Sequence, residues 1–494
     1  MTDVGEARFA RVITTAFLVV SLAKTLTHEP WRDEWSPWGV ALASPDVAQF
    51  WEALRYGGHA RLWHLLVFAL ERATGAFETV QVLAAVLATL SVWAVARFSP
   101  FPRWARVLFA LGYYPLFEYG SIARPYAIAL PASCLAAGLF ARARRDPLPL
   151  AVALAVLAQT TVFGVILAAA FGAAWLVDRS AAPVAGRAPG LRVGVAAGLL
   201  GASMAAAVLQ MVPPHDSSFA PGWHLGFEQQ RLSWVLGTVA RGVAPLPIPR
   251  LHFWNTHLLD GHAQIATVAG AGVLVAFSLL FAGRLPALAL WIVAASGQLA
   301  FQYIKHLGDA RHHGHLFLAF LAASWIATET AGAGGPRSLV VRLRSIALGA
   351  VLTLNAVAGL FATAMDVTLP FSTAKATAAA IRARGLVDLP ILGDRASTSA
   401  AVAAALGRPF VLAGTGRVST FVRWDASYRV ASPQLVVSEL VRLAAQTRSP
   451  VLLVRDRPLI PLPPGIEEVA RMEEAVVRDE RFSVYLVGHL AQPR

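Results

Sequence analysis

The sequence predicts an α-helical polytopic membrane protein of about eleven spans, followed by a small α/β domain outside the membrane. Three observations predict it. Hydrophobic residues make up 56% of the 494 and charged residues only 14%, where a soluble domain carries about 25%. Apolar runs close to the roughly 20 residues needed to cross a bilayer recur along the first three quarters of the chain. From residue 372 those runs give way to helical patterns alternating with short β-branched strands. Mean hydropathy is +0.56. The apolar runs are continuous rather than alternating, which argues against a membrane β-barrel.

The expected spans lie near 10–27, 77–97, 105–119, 124–141, 147–159, 160–177, 192–212, 263–282, 286–303, 314–329 and 345–365. The first is followed at once by "THEPWRDEW" and lacks a small-residue cleavage pattern, so it reads as a retained signal anchor. The fifth and sixth are short and read as a tight or partly re-entrant hairpin. A further apolar helix near 61–73 carries Glu71 and Arg72 and reads as interfacial, as does the amphipathic stretch "DVAQFWEALRYGGHARLW" before it.

Orientation follows from the basic connections. The loops at 97–106, 142–147, 178–192 and 334–344 are rich in arginine and belong in the cytoplasm. Loop 28–60, the turn at 119–123, the long segment 213–262, the turn at 304–313 and everything after about 370 are then external. The tryptophans of "HEPWRDEWSPW" read as anchors at headgroup depth. The net charge of +13 is accounted for by these loops and by anionic lipid. No aromatic-basic interleaving points to nucleic acid. The single cysteine, Cys134, excludes a disulfide framework and a Cys-based metal site.

The chain divides into a membrane module, 1–369, and an external α/β domain, 370–494, with segments such as "LPILGD", "PFVLAG" and "PVLLVRD" as strands of a partly parallel sheet. Neither GxGxxG nor GxxxxGKS occurs there, so no nucleotide cofactor is expected. The Ala, Arg and Gly content points to a GC-rich bacterial genome.

Polar residues gather on the external side. Loop 28–60 offers Glu29, Arg32, Asp33 and Glu34, and the third and fourth spans meet at Glu118, Tyr119, Arg124 and Tyr126. The turn "YIKHLGDARHHGHLF" supplies Lys305, His306, Asp309, Arg311, His312, His313 and His315. Its histidines read either as a polar turn or as a metal site; the spacing is not that of an i, i+4 zinc pair. Carboxylates beside cationic groups at a membrane surface suit a substrate with a lipid tail and a phosphate head. Arginine grips phosphate bidentately, and a carboxylate takes the proton of an incoming hydroxyl.

A signal-anchor span followed by "WRDEW", interfacial helices, "SIARPYAIALP" and a terminal α/β domain resembles the GT-C superfamily of polyprenyl-phosphate-sugar glycosyltransferases. The likeness is to the protein mannosyltransferase and aminoarabinose transferase branch. It implies an inverting transferase in the bacterial cytoplasmic (inner) membrane, with its site and α/β domain on the external, periplasmic side. A polyprenyl-phosphate sugar would be the donor and a lipid, glycan or protein the acceptor. It further implies that Asp33 is the general base and that Glu34 orients the site or shares a divalent ion (Mg, Mn, Ca or Zn). Glu118, Arg124 and Tyr126 would line the donor site; Lys305, His306 or Arg311 would steady the leaving phosphate. His312, His313 and His315 are the candidate metal ligands. The rival readings are a transporter or flippase of lipid-linked sugar, an envelope scaffold, and an O-antigen ligase or polymerase-like enzyme with a diphosphate-linked donor. A transporter should hold ionisable groups at mid-membrane depth, whereas the charges here lie near span ends.

Overall fold

The computed structural model describes residues 3–181, 187–218, 222–329 and 339–488. The basic loops expected at 178–192 and 334–344 therefore fall partly outside the described residues. The helices are α1 (Asp3–Thr25), α2 (Arg32–Ala43), α3 (Val47–Ala53), α4 (Leu62–Thr74), α5 (Glu78–Phe98) and α6 (Arg103–Ala110). Then come α7 (Tyr126–Leu139), α8 (Leu148–Ala158), α9 (Val162–Ala181), α10 (Gly190–Met211), α11 (Gln229–Val243) and α12 (Ala263–Phe281). The last six are α13 (Leu285–Ile304), α14 (Ala310–Glu329), α15 (Leu339–Thr368), α16 (Ala374–Ala383), α17 (Ala396–Leu406) and α18 (Pro433–Thr447).

Each expected span coincides with a helix, but the helices are unequal. Among the described residues, six (α5, α9, α10, α12, α13 and α15) are long and apolar enough to cross a membrane by length and composition. The third expected span is broken. After α6 the chain enters a π-helical turn at Tyr114–Glu118, where Pro115 has no N–H to continue the α-helical ladder. α14 is buried on every side from His312 to Ala327, which marks it as the central helix of the bundle. Gly314 on this helix lets the Tyr114 and Tyr119 rings close in; a Cβ there would lie 2.2 Å from Tyr114 Cε1.

Loop 28–60 is more ordered than expected. Its charged, tryptophan-rich first part, expected only as external loop, is helical: α2 runs through it with Pro37 inside. Trp31, Trp35 and Trp38 are not membrane-surface anchors. They are only 3–4% exposed, and Trp35 and Trp38 join a core with Trp63, Phe77 and Val80. α2 is covered on its outer side by the α/β domain, so its aromatic faces meet protein instead of lipid. Trp51 on α3 does remain exposed.

The sheet contains β1 (Ile391–Gly393), β2 (Phe410–Leu412), β3 (Arg417–Ser419), β4 (Val451–Arg455), β5 (Ile466–Arg471) and β6 (Ser483–Val487) in the order β3-β2-β1-β4-β6-β5. β1 pairs in parallel with β2 and β4, and the outer pairs are antiparallel. Successive side chains alternate between faces. Leu452, Val454 and Val484 pack with α16 and α17, while Leu453, Tyr485 and Val487 pack with α18. α17 in turn rests on α2, where Thr420 Oγ1 donates to Gly39 O at 2.7 Å. The sheet domain is thus stacked directly on the helix that carries Asp33 and Glu34.

Candidate functional site

Three charged side chains from distant segments converge. Asp33 sits in the first turn of α2, Arg124 just before α7, and Arg311 in the first turn of α14. Arg124 Nη1 donates to Asp33 Oδ2, and Arg311 Nη2 pairs with Asp309 Oδ2 at 3.0 Å. The guanidiniums of Arg124 and Arg311 each lie 5.6 Å from the centre of the Trp31 ring, within cation–π range. Trp31 meets Trp254 edge to face at 4.6 Å. Burial opposes charge on Asp33, but the Arg124, Arg311 and Arg32 guanidiniums outweigh it and hold the carboxyl below its ordinary value of 3.8. Arg311, flanked by Asp309 and Asp33, is held above its ordinary value despite burial.

Asp33 and Arg311 face a cavity of about 480 Å³ whose wall also includes Trp254, Arg250, His252 and Arg478; Arg124 does not line it and stands behind Asp33. Arg250 and Arg478 form no ion pair among the described residues and leave two further cations facing it. The cavity is polar, open to one side, and framed by both the helical bundle and the α/β domain.

Glu34 turns away from this cavity and is fully buried. Its Oε1 accepts from Ala123 N at 2.7 Å, beside Arg124. Its Oε2 accepts from Trp31 N at 3.1 Å and meets His28 Nε2 at 3.2 Å. His28 Nδ1 meets Asp366 Oδ1 at 2.7 Å. One carboxylate therefore ties α2, the Arg124 turn and the end of α15 together. Burial disfavours a charged His28 ring, yet Asp366 and Glu34 override it and raise its pKa from 6.5 to about 10. The stabilisation from this protonated ring is fully present below pH 6.5 and is lost as pH rises through about 10. The melting temperature of the solubilised protein should fall across that window, and His28→Gln should flatten the slope; an equal slope in both proteins would refute this assignment.

Other expected site residues act from behind or lie elsewhere. Glu118 is buried, and its Oε2 accepts from Tyr113 Oη at 2.9 Å and Trp254 Nε1 at 3.0 Å. It steadies the cavity wall without lining it. Tyr126 stacks on Tyr119 at 5.5 Å, and Tyr119 Oη donates to Arg311 O at 2.6 Å, so this pair fixes the Arg311 backbone. Lys305 stands over the Trp223 ring at 4.5 Å and His306 packs against His312. Neither lines the cavity.

The three histidines do not form a ligand set. Among the described residues no group of three or more His, Cys, Asp or Glu side chains is placed to hold a metal ion. His313 Nε2 is turned to Leu307 O at 3.2 Å and its ring packs on Trp234. His312 Nδ1 accepts from Asp309 N at 2.8 Å, while the His312 and His315 rings pack on Phe163. Consecutive helical residues diverge by about 100°, which sends His313 away from the other two.

Several wall residues carried no signal in the sequence. Trp31 read only as one of the headgroup anchors, and Trp254 and Arg250 lie in an unpatterned segment. His59, half-buried, also carried none; it is not part of the wall but lies within the electrostatic reach of Arg124. Burial and the nearby Arg124 charge lower its pKa to about 4, so it is neutral at pH 7. The segment Val476–Asp479 is the largest omission, because nothing in the sequence of the α/β domain marks it as part of the cavity wall.

No family model matches the chain, and no curated protein matches it. Solved structures that share its fold include ArnT from Cupriavidus metallidurans bound to undecaprenyl phosphate, with a TM-score of 0.54 and 14% identity over 98% of this chain and 99% of that one. They also include ArnT from the same organism in the apo state, with a TM-score of 0.54 and 15% identity over 99% of each chain. The likeness spans the bundle and the sheet domain alike. The chain has the fold of these two structures, the fold that the sequence resemblance leads one to expect.

Proposed function

We propose that the chain is a membrane glycosyltransferase that moves a sugar from a polyprenyl-phosphate donor to a lipid, glycan or protein acceptor at the external membrane face. The observation that carries this reading is the placement of Asp33 and Arg311 on one polar cavity, with Arg124 paired to Asp33 from behind. Support comes from a fold shared with a protein whose structure holds undecaprenyl phosphate.

In the reaction, the acceptor hydroxyl oxygen bonds to the anomeric carbon as that carbon's bond to the phosphate oxygen breaks. The hydroxyl proton passes to Asp33, and the bonding pair leaves on the lipid phosphate, whose growing charge Arg124 and Arg311 neutralise. Attack opposite the leaving group inverts the configuration. Positioning supplies much of the rate, because both reactants are held together before bonds change. The residues do not fit a protein-held divalent ion: Glu34 has both oxygens engaged and the histidines diverge. No step is therefore routed through one.

Arg124 has a double duty. Without donor it holds Asp33 ionised but weakly basic. A donor phosphate competing for Arg124 releases Asp33 and raises its basicity when a base is needed. Purified protein in liposomes, given a radiolabelled undecaprenyl-phosphate sugar and a candidate acceptor extract, tests the reading. The acid limb of kcat/KM, which reports the free protein, should lie below pH 4, and the limb of kcat should lie higher. Coincident limbs would remove Arg124 from this role, and no transfer to any extract would remove the reading.

The external placement is tested by labelling. Cys134 is buried and should stay silent. Ala48→Cys and Asp388→Cys, at exposed positions, should both react with a membrane-impermeant maleimide from the periplasmic side. Protection of either would break the orientation.

A further inference from the structure

The N-terminus of α2 is capped by a residue from the other end of the chain. The Arg32 N–H, the first of the helix, donates to both Glu480 oxygens, at 3.1 and 3.2 Å. The first N–H groups of a helix have no partner within it, and a side-chain oxygen normally supplies one from a neighbouring position. Here the acceptor lies 448 residues away. The contact is reinforced, since Arg32 Nη1 reaches Asp479 Oδ2 at 2.7 Å. Asp479 also lies 3.9 Å from Arg395 Nη1, which pairs with Asp456 Oδ2 at 3.0 Å beyond β4. Glu480 is itself fixed: it is fully buried, and its carbonyl accepts from Thr373 N at 3.1 Å and Thr373 Oγ1 at 2.8 Å.

The next residue after Arg32 is Asp33. Any rotation or fraying of the first turn of α2 moves the Asp33 carboxylate relative to Arg124 and Arg311. Glu34 holds the inner side of that turn and Glu480 the outer side. We propose that Glu480, with Asp479, is a positioning residue through which the α/β domain sets the geometry of Asp33, so that the domain is a working part of the site. The catalytic consequence rests on the function proposed above; the structural one does not.

Burial pushes the Glu480 carboxyl up to about 8 against the pull of Arg32. At neutral pH it then caps chiefly as a hydrogen-bond acceptor, a property that Gln keeps and Ala lacks. Glu480→Ala in the full-length protein in nanodiscs should exchange the Arg32–Glu34 amides at least tenfold faster, with α5 and α16 unchanged. Its kcat should fall at least tenfold with the donor KM within twofold, and Glu480→Gln should stay within threefold of wild-type kcat. A merely structural role would lower the folded fraction and leave kcat per folded molecule intact. Unchanged exchange in Glu480→Ala overturns the cap, and wild-type kcat in Glu480→Ala, or a loss that Gln fails to restore, overturns the positioning role. If exchange rises locally while the wild-type protein transfers no sugar, the cap stands and the proposed function falls.

Discussion

Asp33→Asn should abolish sugar transfer while leaving insertion, folding and donor binding intact. The amide is nearly isosteric, and its oxygen still accepts from Arg124, so the Asp33–Arg124 contact and the Trp31 face beneath it persist. What is lost is the capacity to take a proton. Removing a general base costs about 10²–10⁴-fold in rate, and that range is the expected fall in kcat. The Asp33 side chain is about one third exposed, so its ion pair adds little stability, and the melting temperature should move little. Turnover within threefold of wild type would end the base assignment, and the low-pKa carboxylate would then be an electrostatic partner of Arg124 alone.

Glu34→Ala should do the opposite: destroy the fold before the chemistry can be measured. Its carboxylate is fully buried and serves Ala123 N, Trp31 N and His28. Truncation leaves two backbone donors and a charged imidazole without it. Breaking a buried, hydrogen-bonded charge pair costs about 3–5 kcal/mol, a large share of the roughly 5–15 kcal/mol that keeps a domain folded. The variant should express poorly and run as aggregate in detergent chromatography. Glu34→Gln should be intermediate, since one oxygen still serves Ala123 N while an amide NH₂ meets the donors. A Glu34→Ala protein with wild-type yield and melting temperature would show that the network is not holding α2. The two adjacent acids thus divide the work: Asp33 faces the cavity, and Glu34 holds the ground it stands on.

The pair also shows how far local reading reaches. Both acids were visible as charges after an apolar run, and Arg124 and Arg311 as charges at span ends on the same predicted side. Their convergence followed from topology and from the resemblance. Lys305 and His306 were grouped with Arg311 because they are its neighbours in sequence, yet Gly308, at a φ of +79°, turns the chain between them, and only Arg311 meets the cavity. The same limit applies to His312, His313 and His315, where proximity along the chain concealed divergence around the helix.

Hydrophobicity and charge are properties of segments, so the sequence by itself determined which segments form apolar helices, that a small sheet domain follows them, and that acidic and basic groups would collect at one set of helix ends. Which faces meet depends on packing between elements hundreds of residues apart. The tertiary structure alone decided that Trp31, Trp35 and Trp38 are core, that Glu34 is buried in a hydrogen-bond network away from the cavity, and that Val476–Asp479 completes the cavity. It alone placed Glu480 on the Arg32 N–H. No local pattern encodes such a contact, because a cap supplied from 448 residues away exists only once both modules have folded against each other.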